Sequence, residues 1–267
     1  MKREIRTRTA RGGSLKKVGL ARALSKLGYC SRSRAGELIA EGRVKWNGTV
    51  RRDPETPVHL GKDRIEIDGQ PVARSSKIYL ALNKPRGIVT TAADEKGRDT
   101  VYSFLPENLP WVAPVGRLDK ASEGLLLLTN DSEWAARITA PDTHLDKTYH
   151  VQINAISDET LLQALRIGIR ASEGEFLRVK TISILRYGAR NSWLEIVLDE
   201  GKNRHIRRMF EALKIEVLRL VRVRIGPLLL GALPKGATRA LELEEKRALD
   251  RAMRVRIQPP ASLVRAH

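Results

Sequence analysis

Apolar positions early in the chain recur first at helical and then at strand spacing. Leu20, Leu24 and Leu27 lie three to four residues apart and Gly28 stops the run, which predicts a helix. Ser31 is a good N-cap for a second helix, Arg32 to Glu41, with Leu38 and Ile39 on its apolar side and Gly42 at its end. Val44 and Trp46, then Asn47-Gly48, then Val50 predict a hairpin, because a two-residue turn wants positive φ at both central positions. Ile65 and Ile67 alternate before a second turn at Asp68-Gly69. Residues 18–72 therefore read as a helix–helix–β unit of about 55 residues, at the low end for independent folding.

Arg74-Ser75-Ser76-Lys77 reads as a polar linker, and beyond it the pattern changes. Ile78 to Leu82 and Leu125 to Leu128 are continuous apolar runs of strand length. Tyr149, Val151 and Ile153 alternate with polar residues, the mark of a half-buried strand. Ser157 caps a helix carrying Leu161, Leu162 and Leu165, the segment from Trp193 to Leu198 is another strand, and Asn203 to Leu213 is helical. Helices and strands mix without a regular βαβ repeat, so the fold class is α+β. The expected divisions are a basic arm at 1–17, a small domain at 18–75, a larger one at 76–250 and a basic tail at 251–267.

Charge sharpens the picture. The 267 residues hold 49 Lys and Arg against 31 Asp and Glu, a net +18. Such an excess repels itself unless a polyanion offsets it; nucleic acid is the natural partner, with an anionic membrane surface second. The single cysteine, Cys30, excludes a disulfide framework, and the five histidines lack ligand spacing, so no metal site is expected. No apolar run approaches the roughly 20 residues of a membrane helix, and the basic N-terminus lacks the apolar core of an export signal, so the cytoplasm is the default location. Gly226 and Gly231 have phosphate-loop spacing but are followed by Ala232 rather than Lys, and no dinucleotide or nucleophile-elbow motif occurs. The arm, with seven Lys and Arg in 1–17, reads either as a solubilising tail or as a phosphate contact.

Arg22, Lys26, Arg32, Arg34, Arg43 and Lys45 crowd the small domain against two acids in the same stretch, Glu37 and Glu41. Ala21 to Gly28, Ser31 to Ala35, Gly42-Arg43-Val44 and Asn47-Gly48 resemble the small RNA-binding domain first known from ribosomal protein S-four. That resemblance implies that these six cations contact RNA; a plain solvated helix face is the other reading.

The densest chemistry is Gly116-Arg117-Leu118-Asp119-Lys120-Ala121-Ser122-Glu123-Gly124, a charged loop between glycines that runs into the apolar segment Leu125 to Leu128. From the residues alone Asp119 has three readings: a nucleophile or base, one half of a glycosidase-like pair with Glu123, or a salt-bridge partner of Arg117. The glycosidase reading fits poorly with the positive charge and with aromatics at 4%. Tyr149, in its alternating strand, reads as core, and Arg204, Arg207 and Arg208 as a phosphate-facing stripe.

Taken with Thr129-Asn130-Asp131, Asn83-Lys84-Pro85, Lys147-Thr148-Tyr149, Glu200 to Met209 and Leu220 to Gly226, this loop resembles the signature of pseudouridine synthases of the RsuA/RluB/RluE/RluF type, in order along residues 20–250. The resemblance implies a catalytic domain on a mostly antiparallel mixed sheet with flanking helices, and isomerisation of uridine to pseudouridine in ribosomal RNA by a monomer without a cofactor. It leans towards the large-subunit RNA. It casts Asp119 as the catalytic aspartate, Tyr149 as the ring stacked on the uracil, Arg207 as the partner that holds Asp119 ionised, and Leu220 as the pocket floor. Arg117, Lys147, Lys202 and Arg204 are implied substrate contacts. A ribosome-assembly factor whose catalysis is dispensable is the alternative.

Overall fold

The computed structural model describes residues 17–91, 98–171 and 174–254; the expected basic arm except Lys17, and the tail from residue 255 on, lie outside them. The chain divides into two compact units between Ser75 and Ser76.

The first unit runs β1 (Val18–Gly19), α1 (Leu20–Lys26), α2 (Arg32–Ala40), β2 (Val44–Trp46), β3 (Thr49–Val50), β4 (Pro57–Val58), β5 (Ile65–Ile67) and β6 (Gln70–Pro71). The Ser31 hydroxyl caps α2 by accepting the Arg34 amide at 3.1 Å. The helix stops one residue before the sequence expectation, with Glu41 as its C-cap. Asn47 and Gly48 turn the β2–β3 hairpin with φ of 49° and 80°. An antiparallel sheet β3-β2-β5-β6 lays Val44, Ile65 and Ile67 against Leu20, Leu24, Leu38 and Ile39 in one core.

The second unit runs β7 (Tyr79–Lys84), β8 (Ala113–Val115), β9 (Glu123–Thr129), α3 (Ser132–Thr139), β10 (Lys147–Ile153), α4 (Glu159–Ile167), β11 (Ile169–Arg170), β12 (Phe176–Leu177), β13 (Thr181–Tyr187), β14 (Ser192–Leu198), α5 (His205–Ala212), β15 (Val217–Ile225), β16 (Leu228–Leu229), β17 (Thr238–Ala240) and α6 (Leu243–Ala252). One large sheet has the order β13-β14-β10-β15-β9-β7-β17, with β16 beside β15 and β8 beside β9. Its pairs are antiparallel except β9 with β15.

β9 explains its own continuous apolar run. Leu125 and Leu127 enter the core shared with α3 and α6, while Leu126 and Leu128 enter a separate core beneath Val101, Val112 and Leu118. A strand buried on both faces has no polar side to show. Gly124, at its start, has φ of 101°, and a Cβ there would meet the Arg222 carbonyl oxygen at 2.3 Å. The parallel partner strand thus approaches too closely for any other residue.

The helix α4 is capped not by Ser157 but by Asp158, whose carboxylate accepts the Leu161 amide at 2.8 Å. Ser157 is buried, and its amide bonds the Ser192 hydroxyl instead. Sequence pattern gives no account of α3, α6 or β13, and α6 carries the unit past position 250 to Ala252.

Candidate active site

The loop of residues 116–122 leads into β9 and lines a cleft of about 300 Å³. Its backbone is held carbonyl by carbonyl. The Thr90 hydroxyl donates to Leu118 O at 2.7 Å, Gly87 N–H to Lys120 O at 2.7 Å, and Arg207 Nη2 to Ala121 O at 3.0 Å. Lys84 Nζ donates to Asp119 O at 3.2 Å and Ser122 O at 2.9 Å, and also to Pro85 O at 3.0 Å. The Ser122 amide closes a turn on Asp119 O at 2.9 Å. With Leu118 buried below, this cage fixes the backbone from which the Asp119 carboxylate enters the cleft.

Lys84 is fully buried at 0% exposure. Burial pulls its pKa down to about 8, against the attraction of Asp119 and Glu123 and with the help of Arg222. Arg222 is also buried; its Nε donates to Leu125 O at 2.7 Å while its Nη2 has no hydrogen-bond partner, and its side chain lines the cleft. Lys147 lines the same wall, and burial followed by Arg222 lowers its pKa. The cleft therefore sets Arg117, Lys147, Lys202, Arg204 and Arg222 against two carboxylates, Asp119 and Glu200, the second of which pairs with Lys202, and this excess of positive charge favours an anionic ligand.

Tyr149 and Leu220 reach the cleft from neighbouring strands, β10 and β15. Tyr149 packs against two cores at once and also lines the cleft. Arg117 is exposed at the rim. Arg204 caps the start of α5 in the left-handed region, with φ of 48°. Lys202 is exposed and pairs with Glu200 at 2.9 Å and Glu175 at 3.4 Å, which offsets its charge.

The expected Arg207–Asp119 ion pair is not what the guanidinium makes. Arg207 donates to the carbonyls of Ala121 and Val217, and its Nε is buried without a partner. Burial, then Arg204, lowers its pKa, and the Asp119 charge opposes that. Arg207 thus braces the backbone two residues beyond Asp119 rather than the carboxylate itself. Glu123 turns away from the cleft: its buried carboxylate takes Arg219 at 3.1 and 3.0 Å and Lys235 at 2.7 Å. This removes the two-carboxylate arrangement from consideration, since a glycosidase pair must face one substrate.

His205 is buried on the cleft wall, and burial followed by Lys202 lowers its pKa. Arg222 and His205 on the cleft wall, and Lys84 buried behind the loop, are the groups to which the motifs assign no role at the site. All three lie inside the family-like segments, but spacing alone does not say that a lysine, an arginine and a histidine there are buried. Among the described residues no group of His, Cys, Asp and Glu is arranged to hold a metal ion, and no helix is long and apolar enough to cross a membrane.

In the small unit Arg22, Arg32 and Lys45 are exposed and Lys26 is half-buried. Arg34 pairs with Glu37 at 2.8 Å. Arg43 is bound by Asp68 through both carboxylate oxygens, at 2.9 and 2.6 Å, and by Glu41 at 3.2 Å. Counting acids within the local stretch missed Asp68, which the β5–β6 turn brings back to it.

The sequence profile of the RNA pseudouridylate synthase family matches residues 78–212, and that of the S4 domain matches residues 18–65. The chain belongs to the RNA pseudouridine synthases. A Bacillus subtilis (strain 168) relative named ribosomal large subunit pseudouridine synthase B is 40% identical over 232 residues, 86% of this chain and 94% of its own length. An uncharacterised RNA pseudouridine synthase of Aquifex aeolicus (strain VF5) is 38% identical over 243 residues, 91% of this chain and 97% of its own. A crystal structure of a pseudouridylate synthase matches with a TM-score of 0.61 at 30% identity, over 87% of this chain and 99% of that one. In this synthase the family profile spans β7 to α5 and so takes in the Asp119 loop, Tyr149 and Arg207, while Leu220 and Arg222 on β15 lie just beyond it. The protein is an RNA-modifying enzyme with an RNA-binding domain before its catalytic unit.

Proposed function

We propose that this enzyme isomerises a uridine of ribosomal RNA, in the large subunit, with Asp119 as the reacting carboxylate. The observation that carries the reading is Asp119 itself, presented by a caged loop into a cleft rich in cations and sharing it with Tyr149. The large-subunit assignment is supported by the name of the Bacillus relative.

The reaction breaks the N1–C1′ bond, turns the uracil and joins C5 to C1′; C5 then gives up its proton and N1 takes one, so there is no net redox change. Asp119 acts on the sugar, either by attacking C1′ or by taking its 2′ proton. The target uridine must leave its stack at a cost of a few kcal/mol. Stacking on the Tyr149 ring returns about 1–3 kcal/mol, with Leu220 beneath the base. Arg207 and Lys84 position the loop, while Arg117, Lys147, Lys202 and Arg204 face the phosphates. Arg22, Lys26, Arg32 and Lys45 of the small unit add sequence-independent contacts, with Arg34 and Arg43 contributing less because acids already hold them. The reading places the enzyme in the cytoplasm, where ribosomal RNA is, acting as a monomer.

The test is pseudouridine mapping of ribosomal RNA, by carbodiimide-based primer extension, in cells with and without the gene. One large-subunit site should vanish, return with the wild-type protein and stay absent with Asp119→Asn, whose RNA affinity should be within about twofold of wild type. A site restored in full by Asp119→Asn refutes the assignment of the carboxylate. An unchanged large-subunit map refutes the substrate.

A further inference from the structure

A phenylalanine that the motifs leave unused is exposed one contact away from Lys202, a residue of the cleft lining. α4 ends at Ile167, and Gly168 starts the turn into β11 with φ of 118°. A Cβ on Gly168 would lie 2.3 Å from Cζ and 2.6 Å from Cε1 of Phe176, so the ring is seated directly on the bare glycine. The ring remains 51% exposed. Its backbone is fixed by the β11–β12 pairing, Arg170 opposite Phe176, and by the wholly buried Leu177 that follows.

The same residue is tied to the cleft. Lys202, which lines the cleft with Asp119, has its Nζ 3.5 Å from Phe176 O. Glu175 next door pairs with Lys202 at 3.4 Å and with Arg208 of α5 at 2.7 Å. The exposed side chains of Arg170 and Arg178 flank it. A rigid aromatic ring half in water, with cations around it, is the composition of a single-stranded nucleic-acid site, where bases stack on rings and phosphates meet Lys and Arg.

We propose that Phe176 is a stacking platform for an unpaired base that flanks the target uridine. The inference rests on the reading of the cleft as the site of uridine isomerisation. Drawing one nucleotide out of a stack strips its neighbours of a partner, and an exposed ring within reach of the cleft-lining Lys202 replaces it. The seat on Gly168 makes the platform preorganised, so little side-chain freedom is lost when the base arrives.

The experiment compares Phe176→Ala, Phe176→Leu and Phe176→Trp with wild type in steady-state isomerisation of transcribed large-subunit ribosomal RNA, alongside melting temperatures. Loss of one stacked base corresponds to about 5- to 150-fold in KM. Phe176→Ala and Phe176→Leu should show a rise in that range with melting temperature held, and Phe176→Trp should match wild type. Wild-type KM in Phe176→Ala, or full rescue by Phe176→Leu, overturns the platform. So does an unchanged KM on naked RNA combined with lost association with assembling subunits, which would assign the ring to a protein contact. Wild-type protein that converts no uridine overturns the reading of the cleft instead, so the two failures are distinguishable.

Discussion

Replacing Lys84 with Met keeps the length of the side chain and removes its charge and three donated bonds. Each of the carbonyls of Pro85, Asp119 and Ser122 then lacks its ammonium donor. The Asp119 carbonyl keeps the Ser122 amide, so two carbonyls are left short at about 1–3 kcal/mol each, and about 4 kcal/mol is at stake for the pair. Against this stands the strain of burying the cation. An amine brought from 10.5 to about 8 has its charged form disfavoured by about 3 kcal/mol, which the substitution returns. The net loss is about 1 kcal/mol, and it falls on the backbone that carries Asp119. Displacing a reacting group by as little as 1 Å costs on the order of a hundredfold. The sign with pH follows from the lowered value. Between about 8 and 10.5 the unfolded chain holds the Lys84 proton more tightly than the folded one, so wild-type stability gains as pH rises through that window. Urea unfolding should therefore show the gap between wild type and Lys84→Met widening from pH ~8 to ~10, and single-turnover assays should show kcat down about a hundredfold with RNA affinity nearly kept. A gap that is flat or narrowing with pH, or a Lys84→Met enzyme with wild-type kcat, refutes the reasoning.

Gly124→Ala should cost at least about 3 kcal/mol, from positive φ and the collision with the Arg222 carbonyl together, read as a fall in the urea midpoint; a neutral result contradicts the close approach of β15. Burial would raise the Glu123 pKa, but the bonds from Arg219 and Lys235 outweigh it and leave it lowered, so its stabilisation is held above the ordinary carboxylate value of 4.5 and lost as pH falls below it. Glu123→Gln should flatten that acid limb in a pH series of melting temperatures. Arg32→Ala should reduce the salt slope of RNA binding by about one, whereas Arg43→Ala, whose charge Asp68 and Glu41 already hold, should reduce it by clearly less in fluorescence anisotropy titrations.

How far the sequence could be read differs from element to element. α1, α2 and the Asn47-Gly48 hairpin were legible because each carries its own signal: a spacing, a cap and a turn dipeptide. The run at Leu125 to Leu128 was legible as a strand, though not as one that serves two cores. β13 was not, because it is an edge strand with a register shift between Ile184 and Arg186 that turns Leu185 to solvent and breaks the alternation. The place of Asp119 in the cleft was legible through a motif confined to one loop. The cage around it was not, since its donors come from Lys84, Gly87, Thr90 and Arg207, and only the fold brings these together. The ion pair expected for Arg207 failed for the same reason: spacing says which residues meet, not which atoms they spend on one another.

The parallel pairing of β9 with β15 also sets an order of events. It joins Glu123 and Gly124 to Val221 and Arg222, and Arg222 then bonds Leu125 O across 97 residues of chain. Contacts this distant close late, because the entropy of a long loop must be met before they return anything. The Asp119 loop hangs from the start of that strand, so the nascent chain has no working cleft until β15 has been synthesised and docked. Enzymatic activity during refolding should consequently rise with the slowest tertiary phase and lag the recovery of helix, which makes catalysis the final assay the polypeptide performs on its own completeness.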